Sequence, residues 1–129
     1  MSDKNREQMM VASYLGGCSI ATSYVGVVHP FSAGLSTVLD LPHCLANCIT
    51  MRAVGNFYPN YYDEFWRMAE TQNIQIPTLN LKTKKNLSNI LDTLYKSTII
   101  HEKPLTNALG ENFRKILTRD KVEEMFMQM

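Results

Sequence analysis

Between Val11 and Met51 the chain carries one charged side chain, Asp40. Asp3, Lys4, Arg6 and Glu7 precede this stretch, and the other twenty charges lie between Arg52 and Glu124. A run of about forty residues with almost no charge has to be buried in something. Lipid is excluded. Ser13, Ser19, Thr22, Ser23, His29, Pro30, Ser32, Ser36, Thr37, Pro42, His43 and Asn47 interrupt the run, and no apolar segment approaches the ~18–20 residues of a spanning helix. The cover must then be protein. A chain of 129 residues supplies part of it, and a larger partner or further domain supplies the rest more easily. A homo-oligomer, most simply a two-fold dimer hiding an apolar patch, is therefore expected.

The same length makes one domain, since a second core would leave each half near the lower limit for folding alone. Thirteen Lys plus Arg against twelve Asp plus Glu give a net charge of +1, which argues against a polybasic nucleic-acid binder and against an acidic disordered tail. The cysteines Cys18, Cys44 and Cys48 make no paired framework, and nothing at the N-terminus reads as a signal peptide. A reducing cytoplasm is the expected location.

Hydrophobic spacing predicts helices throughout. Ser2 caps a helix from Lys4 to about Val28, with a stripe of Met10, Tyr14, Cys18, Ala21, Val25 and Val28. Gly16-Gly17 in its middle costs roughly 1 kcal/mol per residue against Ala, so close packing is expected there. Pro30 either kinks this helix or opens the next, a short apolar helix from Phe31 to Leu39. After the Asp40-Leu41-Pro42 turn another helix runs to Val54 and stops at Gly55. Asn60 is a candidate cap for an amphipathic helix carrying Phe65, Trp66, Met68 and Ala69 to about Asn73. Residues 74–85 read as a surface loop. Leu87, Ile90, Leu91 and Leu94 mark a further helix, 99–104 a connection, and Leu105 to Leu109 one short turn. Thr118 caps a last helix with Val122, Met125 and Phe126 inward. No segment alternates as a strand, so the fold is all-α with five to seven helices.

Two histidines, His29 and His43, fall inside the uncharged stretch, where buried imidazoles need partners and can converge on a metal. Spacing alone favours a core histidine satisfied by a carbonyl over a ligand. Cys44 and Cys48 stand at i, i+4 and offer two thiolates, though buried free cysteines more often simply pack. There is no strand-turn-helix glycine loop for phosphate and no Ser-His-Asp arrangement. Lys82, Lys84 and Lys85 read as a solvated loop.

The run from Gly26 to Asn47, with His29-Pro-Phe and then Leu-Pro42-His43-Cys-Leu-Ala-Asn47, resembles the signature of the iron-containing alcohol dehydrogenase family. There, two metal-binding histidines stand fourteen residues apart, the second opening a helix. Similarity continues through Asn56-Phe57 and Asn112-Phe113-Arg114 to Leu117-Thr118 and the last helix. The runs Ser13–Cys18 and His101–Asn112 look closest to the branch that oxidises the terminal hydroxyl of the eight-carbon sugar acid Kdo.

The resemblance implies the all-α, dehydroquinate synthase-like helical domain that forms the C-terminal half of such enzymes, residues 1–129 being that one domain without the N-terminal nucleotide-binding domain. It implies a divalent metal, iron or zinc, held by an Asp and three His, of which this chain carries His29 and His43 as metal ligands; the Asp-x-x-x-His pair would lie before its start. It implies NAD(P) on the absent domain, a primary alcohol or sugar acid as substrate, and a complementary N-terminal-domain chain as a partner alternative to self-association. The isolated chain is then expected to be inactive, with no catalytic or nucleotide-binding residue of its own. Two departures stand out: Ala33 where many members carry a further active-site His, and Cys44 in place of Gly. Rival readings are a non-catalytic helical interaction module and a small structural zinc protein using His43, Cys44 and Cys48. Neither nucleic acid nor membrane is expected as a partner.

Overall fold

A computed structural model describes residues 2–129, and among these there are eight α-helices and no strand. The helices are α1 (Asp3–Thr22), α2 (Val28–Leu39), α3 (His43–Thr50), α4 (Pro59–Thr71), α5 (Leu87–Ile99), α6 (Glu102–Leu109), α7 (Phe113–Ile116) and α8 (Arg119–Gln128). Short 3-10 turns follow at Met51–Ala53 and Leu81–Thr83. The all-α expectation is met, with one helix more than the upper count, because the short α7 was not anticipated.

The core is built on α2. Its apolar face lies across α5 and against α3, and Phe31 and Leu35 are fully buried. Gly34 makes the α2–α5 approach possible: a Cβ there would sit 3.4 Å from the Thr98 hydroxyl and 3.6 Å from the Leu94 carbonyl oxygen. From α8, Val122, Met125 and Phe126 point inward as expected, with the Phe126 ring centre 5.1 Å from that of Phe31. Thr118 does cap α8, its hydroxyl accepting from the Lys121 N–H at 3.3 Å.

The first helix differs from expectation in two ways. It ends at Thr22, and Ser23 to Val27 lead into α2, which starts at Val28. Pro30 is the third residue of α2, where the missing N–H would have no intrahelical partner anyway, so the proline opens a helix rather than kinking one. Second, α1 buries no residue at all. Met10, Tyr14, Cys18 and Ala21 of the expected stripe are exposed, and a Cβ on Gly16 or Gly17 would meet nothing within 4 Å. The close packing those glycines suggest is not made within this chain. Apolar residues occupy every face of α1 because it is not the edge of this core.

Smaller differences follow similar logic. The third helix ends at Thr50 and tightens to a 3-10 turn, and Gly55 is not left-handed; the left-handed cap is Asp40, at the end of α2. Pro59, not Asn60, begins α4, and Met68 is exposed. Residues 74–85 are pinned rather than free: Leu81 is buried, the Arg52 side chain donates to the Ile76 and Pro77 carbonyls, and the Leu79 N–H donates to the Met129 carbonyl at 2.6 Å. Pro104, placed in a connection by sequence, is the third residue of α6, the same first-turn position that Pro30 takes. No helix among the described residues is long and apolar enough to cross a membrane.

Candidate metal centre

His29 and His43 meet. One is the second residue of α2, the other the first of α3, and the turn between the helices folds them back so that their ring centres lie 5.2 Å apart, edge to face. Asp40, with φ 55°, makes that reversal, which is why its carboxylate does not share a helix face with His43. The Val27 N–H, just before His29, donates to the Tyr58 hydroxyl at 3.0 Å, fixing the start of α2 against the start of α4.

The two rings face a hollow of about 410 Å³ whose walls include Ile20, Val25, Val28 and Asn47. His29 is half-buried and His43 exposed, so one imidazole is set in the wall and the other stands at the rim. Burial, then the neighbouring His43 and His101, hold the His29 pKa below its usual 6.5. This favours the neutral form of His29, the form that ligates cations. The Nδ1 of His43 lies 3.4 Å from the Ser36 hydroxyl. In the tautomer where Nδ1 donates to Ser36, Nε2 keeps its lone pair for a ligand.

Two imidazoles sharing one ion at the usual metal–nitrogen distance have ring centres about 5 Å apart, so the pair fits a borderline divalent cation. Among the described residues no group of three or more His, Cys, Asp or Glu side chains is arranged to hold one. Cys44 is exposed and Cys48 half-buried, with the Cys48 thiol pushed up by burial and then by Cys44. A site of His43, Cys44 and Cys48 is thus not assembled.

Sequence reasoning missed His101. Its ring centre is 5.6 Å from that of His29, on the other side from the α3 contact in sequence, and it arrives on the α5–α6 connection. Its run, His101–Asn112, is distinctive in sequence but does not show that it approaches His29; the α2–α5 packing carries it there. A more polar hollow near Arg52, Asn56, Tyr62 and Asp63 lies on other elements and gathers no histidine or cysteine.

Comparison with known proteins assigns a family. The model of the Fe-containing alcohol dehydrogenase family, C-terminal, matches residues 1–127. Methanol:N,N-dimethyl-4-nitrosoaniline oxidoreductase of Mycobacterium sp. (strain DSM 3803 / JC1) is 31% identical over 81 residues, covering 62% of this chain. The oxidoreductase of the same name from Rhodococcus erythropolis is 32% identical over the same length. The matched segment spans 19% of each of these relatives.

Proposed function

The chain belongs to the iron-containing alcohol dehydrogenase family, and on that premise we propose that it is the C-terminal helical domain of an oxidoreductase acting on a primary alcohol or sugar acid, with His29 and His43 as two ligands of its divalent metal. The observation that carries the reading is the meeting of these two histidines at one hollow, 5.2 Å between ring centres. The relatives are named as methanol oxidoreductases, which supports an alcohol as the substrate class. A divalent cation held there, iron or zinc, supplies Lewis acidity toward an alcohol hydroxyl.

The chain's own residues do the rest of what this domain contributes. His29 offers a neutral imidazole whose low pKa limits competition from protons. Ser36 lies within reach of the His43 Nδ1 and can orient that ring, and Ile20, Val25 and Val28 give the hollow an apolar wall. The nicotinamide nucleotide, NAD(P), belongs to a nucleotide-binding domain outside these residues, supplied by a longer polypeptide or a complementary chain. Calorimetric titration with zinc tests the ligand assignment. The chain should bind at roughly micromolar level or weaker, as two protein donors fall short of a full set, and His29→Ala or His43→Ala should abolish binding. Tight binding untouched by either substitution refutes the assignment. Incubated with alcohol and NAD or NADP, the chain alone should show no turnover.

A second reading, an association module, is favoured by one observation: α1 presents Met9, Met10, Val11, Tyr14, Leu15 and Ile20 to solvent. The occupant we infer for this face is a second copy of the chain, related by a two-fold axis. Self-association is compatible with the metal role, since α1 reaches the hollow only through Ile20.

A further inference from the structure

The Arg52 guanidinium is oriented before any ligand arrives. Its Nε–H donates to the Pro77 carbonyl at 3.2 Å, an Nη2–H donates to the Ile76 carbonyl, and its central carbon lies 4.9 Å from the centre of the Trp66 ring. A guanidinium has five N–H donors, so most of them remain unspent. Among the described residues no carboxylate pairs with it. Arg52 lines a hollow of about 350 Å³ whose walls include neither His29 nor His43. Asn56 enters this hollow from the turn before α4, Tyr62 and Asp63 from α4 itself, and Gln128 from the end of α8. Gly55 lets the Tyr62 ring close in as a wall, since a Cβ there would lie 3.3 Å from it. The Asp63 carboxylate is exposed and, among the described residues, has no ion-pair partner either; its neighbour Glu64 takes Arg67.

A cation and an anion thus share one hollow without pairing with each other. A ligand that satisfies both carries two opposite charges at separate ends. A simple anion would meet the charge of Asp63, and a simple cation that of Arg52, whereas a zwitterion sets each charge against its opposite. We propose that this hollow binds a small zwitterion, a free amino acid, with its carboxylate on the unspent N–H groups of Arg52 and its ammonium on Asp63. The Asn56 and Gln128 amides, which both donate and accept, add hydrogen bonds around it. Binding gains from the two carbonyls and the indole that already hold Arg52, because a fixed guanidinium loses little freedom when a carboxylate docks. The site is independent of the metal centre, and neither reading rests on the other.

The test titrates the whole chain with four probes of similar shape: L-alanine, L-lactate with a hydroxyl in place of the ammonium, propionate with neither, and ethylamine without the carboxylate. Trp66 is the only tryptophan, so its emission reports what reaches Arg52. L-alanine should change that emission saturably and shift the Arg52 Nε–H and the side-chain amides of Asn56 and Gln128 in nitrogen-15 spectra. The other three probes should bind about tenfold or more weakly, each lacking one charge-assisted contact. Asp63→Asn should cost about tenfold in L-alanine affinity while leaving propionate no weaker. Arg52→Lys, which keeps the charge and loses the fork, should also weaken L-alanine. His29→Ala should leave L-alanine binding unchanged. The proposal is overturned if L-alanine shifts none of these signals, if L-lactate binds as tightly, or if Asp63→Asn leaves the L-alanine affinity where it was.

Discussion

Substituting Gly26 by Ala tests how the start of α2, and with it His29, is held. A Cβ at Gly26 would lie 2.4 Å from the Tyr58 Oη and 3.3 Å from its Cζ. Gly26 is not in the left-handed region, so the backbone itself tolerates Ala and the whole effect falls on the tyrosine. The hydroxyl must move, and it is the acceptor for the Val27 N–H, a donor on a fully buried residue. Leaving that donor unpaired costs about 1–3 kcal/mol. Tyr58→Phe removes the same acceptor and should cost about the same. In the Tyr58→Phe background the new methyl meets only the ring edge and breaks no hydrogen bond, so it should add less than about 1 kcal/mol. The double variant is then less destabilised than the two singles added, by about 1–2 kcal/mol. Urea unfolding of the four proteins, followed by circular dichroism and compared at equal m, measures this. Additivity within about 0.5 kcal/mol would refute the shared-hydroxyl argument.

Other outcomes follow from the packing and the charges. Phe126→Ala should lose about 3–5 kcal/mol, because the ring is fully buried against Phe31, and thermal unfolding should shift down accordingly; a loss under about 1 kcal/mol would mean α8 is not part of the core. His29, with its folded pKa below 6.5, contributes stability that is fully present above that value and lost as pH falls through the folded pKa, since the unfolded chain takes up the proton first. Unfolding midpoints between pH 7.5 and 5 should therefore fall less steeply in His29→Ala, and an unaltered slope contradicts this. Light scattering at micromolar concentration should report a dimer or larger species, and Tyr14→Lys with Leu15→Glu on α1 should shift it toward monomer; a wild-type monomer with no dye-binding apolar surface removes the second-copy inference.

The core helices were legible because their apolar residues repeat at 3.6-residue spacing and face a core within the chain. Leu91 and Leu94 on α5, and Val122, Met125 and Phe126 on α8, are of this kind. The α1 stripe has the same letters, and spacing cannot say whether the surface it needs belongs to the same chain. Pro104 was misread and Pro30 left open between two roles, since a proline in a first turn lacks only a hydrogen bond that the helix start never makes. At the centre, His29 and His43 were legible through a local motif whose connecting turn is short. His101 was not, because its approach depends on how α5 crosses α2 at Gly34, a tertiary fact with no local trace.

The absence of any buried residue on α1 has a thermodynamic consequence. A helix of twenty residues, on the order of 30 Å long, that touches little else is held by its own propensity. With Gly16 and Gly17 at its middle, such a helix is marginal in water. Its order is then conditional on whatever covers it, and association has to supply the ordering free energy, about 2–5 kcal/mol for a segment that folds as it binds. Helix content should rise as copies associate. Gly16→Ala and Gly17→Ala, which meet nothing within 4 Å in the single chain, become reporters of where the cover lies. Where a glycine faces water in the assembly, Ala preorganises the helix and association tightens; where a partner's backbone rests against it, the same methyl loosens the complex.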